Sequence, residues 1–236
     1  MPKASRVEDA ADRRAEDRPA HARSDGPEML EARIAACLDP LVDRTGGPGG
    51  SDHDLNPELT IPLDGLQEAA VLILLVEREQ GLRVLLTQRA GDMRRHAGQI
   101  AFPGGRREAG ETPWTTALRE AQEEVGLDPS LVRLAGLSTP YRTLTGYHIT
   151  PVVGFAPGPL TLTLNPPEVA EAFEVPFAFL MDPANHERRH RDQPPGPPRW
   201  HYAITWRELD QERLIWGATA GMLRALHDRL ERADAG

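Results

Sequence analysis

A mixed α/β fold is predicted from three observations. Strand-like and helix-like patterns alternate between residues 66 and 230, with no internal repeat. The apolar run Ala69–Val76 is short and followed by the turn pair Gln80-Gly81, so it reads as a buried strand. Thr112 to Gly126 reads as one amphipathic helix with a start and a stop signal.

The elements follow in order. Residues 1–26 are mixed-charge, with no aromatic residue and almost no large aliphatic one, a composition expected to stay disordered. Met29, Leu30, Ile34 and Leu38 recur at helical spacing and predict a short helix over 27–38. Gly46-Gly47-Pro48-Gly49-Gly50-Ser51 has linker composition, and no Lys-Ser/Thr follows it as a phosphate loop needs. Residues 1–60 are therefore expected to be a loosely ordered extension, and 61–233 one domain. Within that domain Ala69–Val76 and Leu82–Thr87 form a hairpin. Leu131–Leu137, His148–Phe155, Leu160–Leu164 and Trp200–Thr205 are further strand candidates, and Gly217–Leu230 is the last helix.

Composition narrows the function. The chain has 236 residues, 39% hydrophobic and 27% charged, which suits a globular core. Net charge is −9, against a generic duplex-DNA binder. The longest apolar run falls far short of the ~20 residues that span a bilayer, and no secretory h-region is visible. Cys37 is the only cysteine, so an intrachain disulfide framework and a thiolate zinc cluster are excluded, and a cytoplasmic protein is expected. A homodimer is left open.

The helix from Thr112 carries the chemistry. Thr112 fits the N-cap, Pro113 the first helical position and Gly126 a left-handed stop. Trp114, Ala117, Leu118, Ala121 and Val125 form one apolar stripe, and Glu120, Glu123 and Glu124 flank it. Like charges at these spacings destabilise a helix, and near its C-terminus the macrodipole opposes them. A divalent cation would relieve both conflicts; a solvated acidic face is the simpler alternative.

The spacing extends further. Gly105, five residues, Glu111, seven residues and then Arg119-Glu120-Ala121-Gln122-Glu123-Glu124-Val125-Gly126-Leu127 resembles the Nudix box, with Ala121 smaller than the usual aliphatic. The resemblance implies an α/β/α sandwich with a mixed sheet between helices. It also implies hydrolysis of a nucleoside diphosphate linked to another group, with Mg²⁺ or Mn²⁺. Glu120 and Glu124 would be the principal ligands, Glu123 an auxiliary ligand or water orienter, and the Gly104 carbonyl a further ligand. Arg119 would hold the glutamates, with Glu111 as its partner.

Upstream, Leu85-Leu86-Thr87-Gln88-Arg89-Ala90, Arg94, Gly98 and Phe102-Pro103-Gly104-Gly105 resemble the added signature of the coenzyme A pyrophosphatase subgroup. Thr145-Gly146-Tyr147, Thr150-Pro151-Val152-Val153 and Ile215–Ala220 resemble it too. This implies a small-molecule substrate of the coenzyme A class, cleaved to 3′,5′-ADP and 4′-phosphopantetheine, with Arg89, Arg94, Gly98 and Phe102 at the substrate. The basic stretch Arg89, Arg94, Arg95, His96, Arg106 and Arg107 suits a ligand with several phosphates; pairing with nearby acids is its structural alternative. Glu168, Glu171 and Glu174 are candidates for the general base, and Glu168 is favoured. Rival substrates are ADP-ribose and dinucleotides such as NADH, and the rival class is a silent binding module. His186-Glu187-Arg188-Arg189-His190 spells a zincin motif, but Pro194 and the lack of an apolar face point to a solvated charged turn.

Overall fold

The computed structural model describes residues 26–43, 49–59, 65–91, 98–192, 194 and 196–235. Most of the expected disordered extension, the Gly46–Pro48 part of the linker, and Arg94, Arg95 and His96 lie outside these residues.

The elements run α1 (Pro27–Ala36), β1 (Gly50–Ser51), β2 (Gln67–Val76), β3 (Arg83–Arg89), β4 (Ile100–Ala101), β5 (Gly104–Arg106), α2 (Pro113–Val125), β6 (Arg133–Leu137) and β7 (Tyr141–Arg142). β8 (Tyr147–Ala156), β9 (Val169–Pro176), α3 (Phe177–Leu180), β10 (Glu187–Arg191), β11 (Arg199–Glu208), β12 (Gln211–Trp216) and α4 (Ala218–Asp234) complete the chain. Strands β1 to β9 form one mixed sheet, ordered β1-β7-β8-β2-β3-β4, with β5 on β2, β6 on β8 and β9 on β3. At its centre β2 and β8 are parallel, in register from Gln67–Tyr147 to Val76–Ala156. A buried parallel pair explains why β2 is apolar on both faces.

Alternation along β2 sorts its side chains into two cores. Ala70, Leu72, Leu74 and Val76 meet Ala117, Ala121 and Val125 of α2. Ile73 and Leu75 share the other core with Ile204, Ile215, Leu223 and Leu226, from β11, β12 and α4. The sandwich is thus α2 on one face and α4 with a small sheet, β10-β11-β12, on the other.

Several expectations need correction. Described residues before 61 belong to the packed unit. Ile34 and Cys37 are buried in the α4-side core, and β1 runs parallel to β7. The Arg229 guanidinium donates to the Cys37 carbonyl at 2.6 Å and to Asp39 at 3.0 Å. Cys37 is therefore a core thiol, and burial pushes its pKa up, against any thiolate role.

Leu160–Leu164 forms no strand. Its alternation is real, since Leu160, Leu162 and Leu164 pack on the α2-side core. Its amides instead pair with the end of α2: Thr163 N–H donates to the Val125 carbonyl at 2.8 Å and Asn165 N–H to the Glu124 carbonyl at 2.9 Å. The segment satisfies helix-end carbonyls that would otherwise lack partners.

The zincin-like segment is not a turn but edge strand β10, paired with β11 from Glu187–Ala203 to Arg191–Arg199. Only His190 lies in the strand; His186 precedes it, with its Nε2 2.6 Å from the Leu180 carbonyl, so the two histidines share no helix face. The strand's charged side chains guard the edge.

Candidate active site

Helix α2 begins and ends as its sequence dictates. The Thr112 side chain accepts from the Thr115 amide at 3.3 Å, and Gly126 takes φ 66°. One edge of the helix lies over β5, which pairs with β2 through Ala70–Gly105 and Val71–Gly104. Gly104 is required for space, and Gly105 leaves room for the Glu120 carboxylate. A Cβ on Gly104 would stand 2.4 Å from the Ala70 carbonyl oxygen, and one on Gly105 would stand 2.4–2.5 Å from the Glu120 carboxylate. Gly105 thus makes the recess that holds Glu120.

Arg119 organises the outer part of the site. Its Nε donates to Glu111 Oε1 at 2.7 Å, and its Nη1 donates to Glu120 at 2.9 Å and to Glu123 at 3.0 Å. Its Nη2 reaches Glu111 Oε2 at 3.2 Å and the Arg106 carbonyl at 3.1 Å. Glu111 also accepts from the Thr116 hydroxyl at 2.7 Å and the Glu108 amide at 3.0 Å. The Arg119 hydrogen bonds, above all, hold the Glu111 carboxyl down to about 2. Glu111 and Arg119 are therefore charged and structurally complete.

Glu124 lies deeper and is poorly compensated. It is 3% exposed, and its polar partners are the Gly104 amide at 3.1 Å and the Arg89 guanidinium at 3.7 Å. Burial pushes its carboxyl up to about 7, against the opposing pull of those two groups. Glu120 is also raised, first by burial, with Glu123 and Glu168 adding repulsion. Glu123 stands at the rim with its side chain 55% exposed.

Among the candidate bases the structure separates Glu168 from the others. The Ala90 amide donates to the Glu168 carbonyl at 2.9 Å, which places Glu168 beside the end of β3. Its charge acts on both Glu120 and Glu124, while Asn165 donates to its side chain at 3.2 Å. Glu171 is paired with Arg213 at 2.5 Å, and Glu174 with Arg78 at 2.6 Å.

The substrate residues divide as well. Arg89 reaches Glu124, and its buried Nε has no hydrogen-bond partner. A register shift between Gln88 and Arg89 aims it there, a bulge that no sequence pattern announces. Gly98 takes φ 69° and its amide returns to the Arg89 carbonyl at 3.2 Å, closing the connection to β4. Phe102 is a correction: it is 2% exposed within the α4-side core, where it packs and cannot touch substrate. Arg107 is tied to Asp43, so it serves structure rather than ligand.

The donor set around Glu120, Glu124 and Glu168 is all oxygen and carries more negative charge than its cations offset, which fits a hard divalent ion. Among the described residues no three such side chains already converge as a complete cation cage. Arg119 holds Glu120 and Glu123 toward itself. No described helix is long and apolar enough to cross a membrane.

Comparison with known proteins agrees with this geometry. A NUDIX domain is matched over residues 66–198. Nudix hydrolase NudL of Enterobacter sp. (strain 638), described as uncharacterized, is 38% identical over 179 residues, covering 73% of this chain and 87% of the relative. NudL of Escherichia coli O7:K1 is 38% identical over 182 residues, with the same coverage. Among solved structures, a Nudix hydrolase from M. smegmatis, RenU, is 30% identical over 47% of this chain and 71% of its own, with TM-score 0.41. On the matched domain and these relatives, the chain belongs to the Nudix hydrolase family and is a pyrophosphohydrolase.

Proposed function

We propose that this hydrolase cleaves the pyrophosphate of coenzyme A or its derivatives, releasing 3′,5′-ADP and 4′-phosphopantetheine or its acylated form, with Mg²⁺ or Mn²⁺. The carrying observation is a buried, under-compensated Glu124 beside Arg89, one of the residues of the coenzyme A signature. The substrate class is supported by that signature over residues 85–105.

Glu120 and Glu124 would hold the ion, with Glu123 at the rim and the Gly104 carbonyl as a further donor. When bound, it supplies charge neutralisation for the phosphates and a lowered pKa for the attacking water. The chain's own groups do the rest. Arg89 takes a phosphate oxygen with its outer guanidinium nitrogens. Glu168 accepts a proton as water attacks one phosphorus, and the bridging oxygen leaves with its electron pair on the other phosphate. Arg119 is a positioning residue that fixes Glu120 and Glu123.

Product analysis tests the reading. Coenzyme A, ADP-ribose and NADH are incubated in parallel with Mg²⁺ or Mn²⁺, and with chelator. Coenzyme A is expected to give 3′,5′-ADP and phosphopantetheine most efficiently, and only with the cation. Preference for ADP-ribose or NADH would overturn the substrate. Paired variants address the base: Glu168→Gln is expected to lower kcat and flatten the acidic limb of the pH profile, and Glu171→Gln to leave both unchanged.

A further inference from the structure

The segment after α1 crosses from one core to the other and ends on the loop that leads into α2. Ile34 and Cys37 lie in the α4-side core. Asp39 then exchanges backbone hydrogen bonds with Leu137, its amide donating at 2.9 Å and its carbonyl accepting at 2.8 Å. Leu41 packs on the α2-side core. Two residues later, the Asp43 carboxylate accepts from both outer nitrogens of the Arg107 guanidinium, from Nη1 at 3.0 Å on one oxygen and from Nη2 on the other. The third nitrogen of that guanidinium, Nε, donates to the Glu111 carbonyl.

Glu111 depends on such a hold. The turn before it, residues 108–110, is exposed, so packing does not fix it and hydrogen bonds must. A guanidinium is a rigid planar fork, so anchoring its two outer nitrogens also aims Nε. The Glu111 carboxylate accepts from Arg119 at 2.7 Å, and Arg119 donates onward to Glu120 at 2.9 Å and to Glu123 at 3.0 Å. An unbroken chain of contacts thus runs from Asp43 through Arg107, Glu111 and Arg119 to the two outer carboxylates. Exposed ion pairs contribute little unless they are bidentate or networked, and Asp43–Arg107 is both.

We infer that Asp43 is a positioning residue for the cation site, holding Glu120 and Glu123 in place through Arg107, Glu111 and Arg119. It acts through these groups and touches none of the proposed ligands itself. Asp43 precedes the matched NUDIX domain, so the segment ahead of that domain completes the site as well as covering the cores. The inference rests on the cation reading of the glutamates and is independent of the coenzyme A assignment.

The test is Mn²⁺ binding to the full chain, followed by electron paramagnetic resonance without substrate, counting the ion whose binding Glu124→Gln removes. Asp43→Ala is expected to bind it about tenfold more weakly, the lower end for groups that orient metal ligands. Asp43→Glu, which keeps a carboxylate for Arg107, is expected to recover most of the affinity. Arg33→Gln is the control. It breaks an ion pair of the same segment, with Asp234 at 2.7 Å between α1 and α4, and should bind as wild type does. In turnover, Asp43→Ala should lower kcat and leave KM within about twofold, since Arg89 is untouched. Wild-type Mn²⁺ affinity in Asp43→Ala, or no recovery in Asp43→Glu, would overturn the assignment. Equal weakening in Arg33→Gln would reduce the effect to general stability and overturn it as well. A wild type without Mn²⁺ binding sensitive to Glu124→Gln would overturn the cation reading itself, and this inference with it.

Discussion

Two arginine–glutamate pairs flank the same helix and behave in opposite ways. Arg119 and Glu111 contact at 2.7 Å inside a network that uses every lobe of both groups, and the Glu111 carboxyl is held at about 2. Arg89 and Glu124 approach only to 3.7 Å, the guanidinium Nε is unsatisfied, and the carboxyl is pushed up to about 7. The first pair is finished structure. The second is a charge imbalance kept at a cost, as binding sites keep theirs. Pairing alone therefore does not distinguish scaffold from site; the completeness of the hydrogen bonding does.

The largest way to break this contrast is Glu124→Gln. Hydrolysis should fall by at least about a hundredfold if Glu124 is the ligand proposed for the ion. The cation-free fold should survive, since the amide oxygen can still accept from Gly104 while a buried charge disappears. Near-normal turnover would sink the ligand assignment.

Arg119→Lys comes next. An ammonium cannot bridge Glu111, Glu120 and Glu123 from one plane, so about 1–3 kcal/mol of stability should go along with much of the activity. Denaturant titration with a kinetic assay measures both. Unchanged stability would mean that the network is decorative.

The pH dependence of the cation-free protein sharpens the contrast further. Glu111 titrates below its ordinary 4.5, so its contribution is present above that pH and lost as pH falls toward about 2. Glu124 titrates above 4.5, so its contribution is present below that value and lost as pH rises through about 7. With chelator, wild type should therefore lose about 1–3 kcal/mol relative to Glu124→Gln between pH 5 and 8. Parallel unfolding profiles for the two proteins would refute the burial argument. Added Mg²⁺ should cancel the difference by binding the charged form.

The smallest effect is Arg89→Gln measured without cation. Removing one distant, half-compensating guanidinium should change stability by under about 1 kcal/mol while raising KM for the nucleotide. A large loss of stability instead would make Arg89 scaffold, like Arg119.

Local chemistry was legible from the chain alone. The caps at Thr112 and Gly126, the apolar stripe of α2 and the central strands follow from residue types at short spacings, while the tie between Arg119 and the glutamates came from the Nudix resemblance. Such patterns depend on one turn of helix or one pleat of strand, and a sequence carries them whole. Tertiary contact decided what depended on distant neighbours. Leu160–Leu164 has a strand's alternation, but the open carbonyls at the end of α2 claimed its amides. Phe102 sits within a substrate signature, yet the α4-side core claimed its ring. Residues 27–37 look like part of a tail until α4 supplies the apolar face they cover. Glu168 and Glu171 are alike in sequence, and only the positions of Ala90 and Arg213 separate a carboxylate beside the end of β3 from an ion-paired one. Burial and partner completeness belong to the assembled fold, because both are set by atoms far away along the chain.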